Sequence, residues 1–213
     1  MAGSKRVMTV TGGLFVVAFV VGLALLGDQV GAFADSDRTF VEHFATGSQR
    51  AVDIAGSALL VVAAAAFMYF THLIASVRAE ALNQSATSSL VRTAGMLAGT
   101  FMVVAALALL TVPLSISLAE FYNEEPTALG EGQAVLPQFG YVTLVFGAMI
   151  PAAVAIAAAA RLGLFPTWLT RSSFPLAILL AITSGSVVTM VLLPIWAALA
   201  TVALARFDRQ AVD

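Results

Sequence analysis

The sequence predicts an all-α fold: a polytopic bundle of six transmembrane helices with both termini in the cytoplasm. Three observations predict it, namely the composition, the lengths of the apolar blocks and the distribution of basic residues. Of 213 residues 60% are apolar and 10% charged, whereas a soluble domain carries roughly a quarter charged residues to solvate its surface. The few charges present suffice to decorate the loops of one membrane domain covering 1–213, and the length leaves no room for a second, soluble one.

Five apolar blocks run approximately Val7–Leu26, Ala51–Ala75, Ala94–Ala119, Gly140–Ala160 and Ser173–Ala205. A hydrocarbon layer about 30 Å thick takes about 20 helical residues, so each of the first four blocks fits one crossing. The last block, as a single helix, would be about 50 Å long, too long for one ordinary crossing. Ser184-Gly185-Ser186 near its middle has the small, turn-forming character that divides such a run. The expected spans are therefore about 7–27, 51–75, 94–119, 140–160, 166–183 and 187–206. Pro166 is expected to open the fifth span, since a proline in the first helical position loses no hydrogen bond.

The basic residues set the orientation. With the N-terminus inside, Lys5, Arg6, Arg78, Arg92, Arg161, Arg171, Arg206 and Arg209 are cytoplasmic, and only Arg38 and Arg50 lie outside. That is the positive-inside pattern, and a five-span alternative would weaken it by moving Arg206 and Arg209 outside. A competing reading of the N-terminus is a secretory signal, with Lys5-Arg6, an apolar stretch and Ala32-Phe33-Ala34 as cleavage site. The apolar stretch is longer than the 7–15 residues of a signal core, which favours a retained first helix.

Two outer loops are expected, 28–50 and 120–139. In the first, Ser36 or Asp37 can cap a short helix whose Phe40, Val41 and Phe44 form an apolar stripe, suited to the membrane surface or the bundle. The second is acidic and holds Pro126, Gly130, Gly132 and Pro137, which argue for irregular backbone. The inner segment 79–90, rich in Ser, Thr, Asn and Gln, reads as a connector.

Ionisable residues within spans are functional candidates, because a charge in lipid is costly. Two come close. His72 lies about one turn before the cytoplasmic end of the second span, beside Tyr69. It reads as a proton-relay group or haem ligand, or more simply as an interfacial imidazole in an aromatic belt. The other histidine, His43, lies on the opposite side, so no bis-histidine haem is expected. Asp53, three residues after Arg50, reads as a carboxylate near a helix N-terminus paired with Arg50. The sharper alternative makes it an outward-facing cation or proton site together with Glu120 at the end of the third span. Asp35, Asp37, Glu42 and His43 are close in sequence but lack the spacing of a metal site, and no cofactor is predicted.

Pro113, Pro151 and Pro194 fall inside spans, where each removes a helix hydrogen bond and favours a kink. Thr111, Ser115 and Ser117 are placed to satisfy the carbonyl freed near Pro113. Ala18-x-x-x-Gly22, Gly95-x-x-x-Gly99 and Ala157–Ala160 permit close helix contact, expected inside the bundle.

Several mechanisms are excluded. Without cysteine there is no disulfide, iron–sulfur cluster or thiolate metal site. A net charge of −2 gives no basic face for nucleic acid. The sole lysine is Lys5, in the N-terminal tail, so no retinal Schiff base forms in the bundle. Glycine-rich nucleotide motifs and a Gly-x-Ser-x-Gly elbow are missing.

Asp37-Arg38, Leu59-Leu60 through Phe70 to Leu73-Ile74-Ala75-Ser76-Val77-Arg78, and Leu164-Phe165-Pro166-Thr167-Trp168-Leu169 resemble a family of uncharacterised six-span actinobacterial membrane proteins. The resemblance implies the same topology in a bacterial plasma membrane and carries no catalytic or binding residues. The expected function is that of a non-enzymatic accessory or scaffold subunit, with the lipid bilayer and other membrane subunits as partners. A transporter or channel using the proline-kinked spans, lined by Thr100, Thr111, Ser115, Thr143, Thr183, Ser186 or Thr189, is the alternative. A membrane enzyme centred on His72 comes third.

Overall fold

A computed structural model of the chain describes residues 2–27, 42–79, 85–122 and 131–206. Among them helices joined by short turns are found and no strands: α1 (Ala2–Leu25), α2 (Gly47–Ala79), α3 (Ser85–Phe121), α4 (Glu131–Val142), α5 (Met149–Ala160), α6 (Thr167–Ile182) and α7 (Val187–Arg206). A π-helical segment, Thr143–Ala148, joins α4 to α5 in one continuous rod. Four helical stretches are long and apolar enough to cross a membrane: Arg6–Leu25, Gly47–Ser76, Ala86–Phe121 and Val135–Ala160. Two further apolar helices, Thr167–Ile182 and Met190–Ala205, are shorter. At about 24 Å, α6 is shorter than the hydrocarbon layer is thick.

Where the apolar side chains go gives the architecture a membrane-like character. Val17, Val62, Leu107, Ile150, Ile178 and Val202 are exposed, on six different helices. A soluble bundle would turn such stripes inward; a lipid-facing surface has no reason to. The interior is filled by Phe15, Phe19, Phe67, Phe70 and Trp196 among many alanines.

Consecutive helices pack side by side from α1 through α3, the rod α4–α5 lies on α3, and α6 lies on α5. The last helix, α7, returns to pack mainly on α1, with thinner contact to α6. Small residues set these spacings. A Cβ on Gly22 would stand 3.0 Å from the Gly56 carbonyl oxygen, and one on Gly99 would stand 2.2 Å from Met68 Cγ. On Gly140 it would meet the Ala105 carbonyl oxygen at 2.9 Å. The three small-residue stretches singled out in the sequence therefore serve packing within the chain: Ala18, Gly22, Gly95, Gly99 and Ala158–Ala160 are buried.

Several boundaries differ from the expectation. Helix runs from Glu131 through Gly132 and Pro137, where an irregular loop is expected to reach residue 139. Propensity is overridden because Pro137 and Gly140 are buried and Gly140 is seated on α3, and membrane helices tolerate a lost proline hydrogen bond. Helix also replaces connector at 85–90 and outer loop at Gly47–Arg50. Before α2, residues 42–45 form a helical turn, and Thr46 presents its carbonyl to the N–H groups of Gln49 and Arg50 at 3.1 and 3.2 Å. Pro166 stands one residue before the first helical position of α6, in extended backbone, and its carbonyl accepts from the Thr170 N–H. The chain reverses at residues 183–186, where Gly185 takes φ +105°, a conformation favoured by glycine. Ser36 and Asp37, the expected caps of a short helix, and Ala32-Phe33-Ala34 lie outside the described residues.

Candidate functional site

Two features stand out, one polar and one apolar. The polar one is built at the end of the bundle where α2 begins and α3 ends. Asp53 is fully buried in the second turn of α2. Its Oδ2 lies 2.9 Å from His43 Nε2, on the helical turn that precedes α2. Arg50, only 4% exposed, turns away from Asp53. Its guanidinium donates to the carbonyls of Phe44 (2.7 Å) and Ala45 (3.3 Å) and pairs with Glu120 Oε2 near the end of α3. The Glu120 side chain remains 49% exposed. The expected Arg50–Asp53 pair is thus replaced by two crossed pairs, His43–Asp53 and Arg50–Glu120. The reason is tertiary: the bend at Thr46 folds residues 42–45 back on α2, bringing an imidazole and two backbone carbonyls within reach.

Three buried polar atoms of the cluster have no hydrogen-bond partner among the described residues: Asp53 Oδ1, Arg50 Nε and, one turn along α2, Ser57 Oγ. Ser57, like Asp53, is 0% exposed. Cα–Cβ bonds in a helix tilt toward its N-terminus, so the Ser57 hydroxyl leans toward the turn that carries Asp53.

The remaining candidates are dispersed. His72 is exposed, its ring lying nearly parallel to that of Tyr69, 9° between planes and 6.4 Å between centroids. Nineteen residues of helix separate it from Asp53, about 28 Å, so the two histidines serve opposite ends of the molecule. Among the described residues no group of three His, Cys, Asp or Glu side chains converges as a metal site would require; Asp35 and Asp37 lie outside the described residues. Pro113 is buried in α3, and the nearby hydroxyls bond elsewhere: Thr111 Oγ1 to the Leu107 carbonyl, Ser115 Oγ to that of Val112. Pro151 is half-buried and follows the π-helical segment by three residues. Pro194 is buried on α7.

Pro194 also lines the apolar feature, a groove of about 490 Å³ between α1 and α7. Val16, Val20 and Leu23 form one wall, Met190 and Val191 beside Pro194 the other, and Tyr141 from α4 contributes to the lining. Lower down, Thr201 of α7 sits so close to Gly12 of α1 that a Cβ on Gly12 would overlap its Oγ1 at 2.1 Å. There Trp196 also ties α7 to α6, its Nε1–H donating to Ser173 Oγ at 3.0 Å and its ring edge-on to Phe165. The first and last helices are therefore closed at one end and parted at the other. Of the hydroxyl residues expected along a polar pathway, none whose side chain is described lines this groove; Thr100 and Thr111 are exposed and bonded to their own helices.

Sequence reasoning missed both His43 as the partner of Asp53 and the groove. The first had a faint signal in the ten-residue spacing across a helix start. The second had none, because nothing in α1 or α7 alone marks where they diverge. No family model matches the chain, and neither do the curated proteins or solved structures compared with it.

Proposed function

We propose that this chain is a six-span integral membrane protein with both termini cytoplasmic, acting by association, without catalysis, as an accessory or scaffold subunit of a larger membrane assembly. One observation carries the reading: the groove between α1 and α7 is apolar and partly open. Helix association in lipid is driven by close packing, and a crevice between two parted helices offers a partner's transmembrane helix more contact than a lipid-facing ridge does. The volume falls in the range of small-molecule sites, roughly 300–1,000 Å³, enough for several apolar side chains of such a helix. The six-span topology rests on the four long and two shorter apolar helices together with the cytoplasmic bias of basic residues. The resemblance to uncharacterised six-span bacterial proteins supports the same placement.

Transport through the proline-bearing helices is the second reading, favoured only by Pro194 at the groove wall. Apart from Tyr141, the described lining of the groove is apolar, which favours an apolar cargo.

The test is purification from the native host in mild detergent, with mass spectrometry of what accompanies the wild type and two groove-filling variants, Ala24→Trp and Ala198→Trp. Both alanines line the groove; Ala65→Trp, on an exposed face of α2, is the control. Stoichiometric co-purification that the groove variants abolish and the control retains is the expected result. A partner retained with the groove filled, or lipid alone bound at the groove, overturns the proposal. Flux of an apolar probe through reconstituted vesicles that changes in Pro194→Ala would instead establish transport.

A further inference from the structure

A smaller cleft, of about 190 Å³, lies between the start of α3 and the end of α5, at the opposite end of the bundle from Asp53. Thr87 and Leu90 of α3 form one side, and Val154, Ala157 and Ala158 of α5 form the other. Arg161, exposed and next in sequence to α5, is the charged member of this lining. From Arg161 to Val154 is seven residues, about 10 Å along a helix. Over that distance, about a third of a hydrocarbon layer, the α5 side passes from a guanidinium to apolar side chains alone. Leu90 and Val154 are exposed, so the apolar part of the cleft is continuous with the outer surface of the bundle.

Arg161 is not neutralised within the described chain. Its guanidinium carbon lies 5.9 Å from the centroid of the Phe174 ring on α6, and a cation over a ring face keeps its in-plane N–H groups available. Among the described residues none of Arg92, Arg161 and Arg171 forms an ion pair. The carboxylates whose side chains are described, those of Glu42, Asp53 and Glu120, belong to the other end. Trp168, exposed in the first turn of α6, is of the type that sits at headgroup level.

We propose that this cleft binds one anionic phospholipid, its phosphate accepting from Arg161 and part of one acyl chain lying along Ala157 and Val154. The proposal rests on the membrane-spanning reading above and not on the groove between α1 and α7. Basic pockets between membrane helices take anionic headgroups. A zwitterionic headgroup would bring a second, positive group to an end where no described carboxylate receives it. Free phosphate would make no use of the apolar wall. The volume is below the roughly 300–1,000 Å³ of sites that enclose a whole small molecule, so the remainder of the lipid stays in the bilayer.

The experiment places the full-length protein in phosphatidylcholine vesicles holding a minority of phosphatidylglycerol, with insertion checked by flotation. Lipid retained after extraction in mild detergent is then identified by native mass spectrometry. The expected result is one phosphatidylglycerol per chain, retained in preference to phosphatidylcholine. Arg161→Gln, at an exposed position, should lower that preference about tenfold, the loss of a charged hydrogen-bond partner. Arg6→Gln, exposed on α1 and outside the lining, should keep most of it. Ala157→Phe fills the apolar wall and should displace the lipid with Arg161 still present, and inorganic phosphate should not compete. Equal retention of the two lipids, a preference unchanged in Arg161→Gln or Ala157→Phe, an equal loss in Arg6→Gln, or displacement by inorganic phosphate overturns the proposal alone. Failure of the wild type to float with the vesicles overturns the membrane reading and this proposal with it.

Discussion

Gly12 and Gly13 are neighbours on α1, yet alanine at these two positions should have opposite effects. A Cβ on Gly12 would overlap Thr201 Oγ1 at 2.1 Å and touch the Phe70 ring at 3.0 Å, whereas one on Gly13 meets nothing within 4 Å. Thr201 cannot step aside without loss, since its hydroxyl is bonded to the Ala197 carbonyl at 2.7 Å and threonine has only two favoured rotamers in a helix. Overpacking of this kind costs about 1–3 kcal/mol. Replacing glycine by alanine inside a helix returns about 0.5–1 kcal/mol at either position. That term cancels in the comparison, so Gly13→Ala should exceed Gly12→Ala in stability by the packing term alone, about 1–3 kcal/mol. The assay is reversible unfolding in mixed micelles, with Thr201→Ala added to complete a double-mutant cycle. Thr201→Ala should recover more than half of the Gly12→Ala loss, the rest remaining with Phe70. Equal stability of the two alanine variants, or additivity in the cycle, would refute the packing of α7 on α1 described above.

Arg50→Ala removes the cation that joins α2 to the end of α3 and leaves Glu120 and two carbonyls unmatched. A loss of about 3 kcal/mol in the same unfolding assay is expected, and Arg50→Lys should recover less than half, since an ammonium lacks the planar fork. Trp196→Phe deletes one hydrogen bond while Ser173 keeps its bond to the Leu169 carbonyl at 2.7 Å, so it should cost about 1 kcal/mol. Adding Ser173→Ala should then cost little more; strict additivity would show that the pair does not interact. His72→Gln should change stability by less than about 0.5 kcal/mol, as for surface positions generally; a larger loss would mean that His72 has a partner on another helix.

The polar residues show how far a linear reading reaches. Asp53 and Glu120 are recognisable as candidates because charges near apolar helices are costly, and the structure places both in one cluster at one end of the bundle. Their partners are not legible in the same way. Spacing at i, i+3 pairs Arg50 with Asp53, the only geometry a single helix offers. The bend at Thr46 and the end of α3 supply better partners, seventy residues away in the case of Glu120. Pro137 makes the same point for the backbone. Local chemistry reads it as a loop residue, but burial of Gly140 against α3 keeps the segment helical.

By itself the sequence determined that the protein is helical and that its helices are apolar enough for lipid, because hydrophobicity and length are local quantities that no fold can alter. It also determined which chemistries are unavailable, since a chain without cysteine and with one lysine lacks the groups they require. Tertiary structure decided what those helices do to one another: that α7 closes on α1 at Gly12 and parts from it at Pro194, and that His43 faces Asp53. Such features depend on distances between segments far apart in the chain, set by where a glycine lets two backbones approach and where a larger side chain holds them apart.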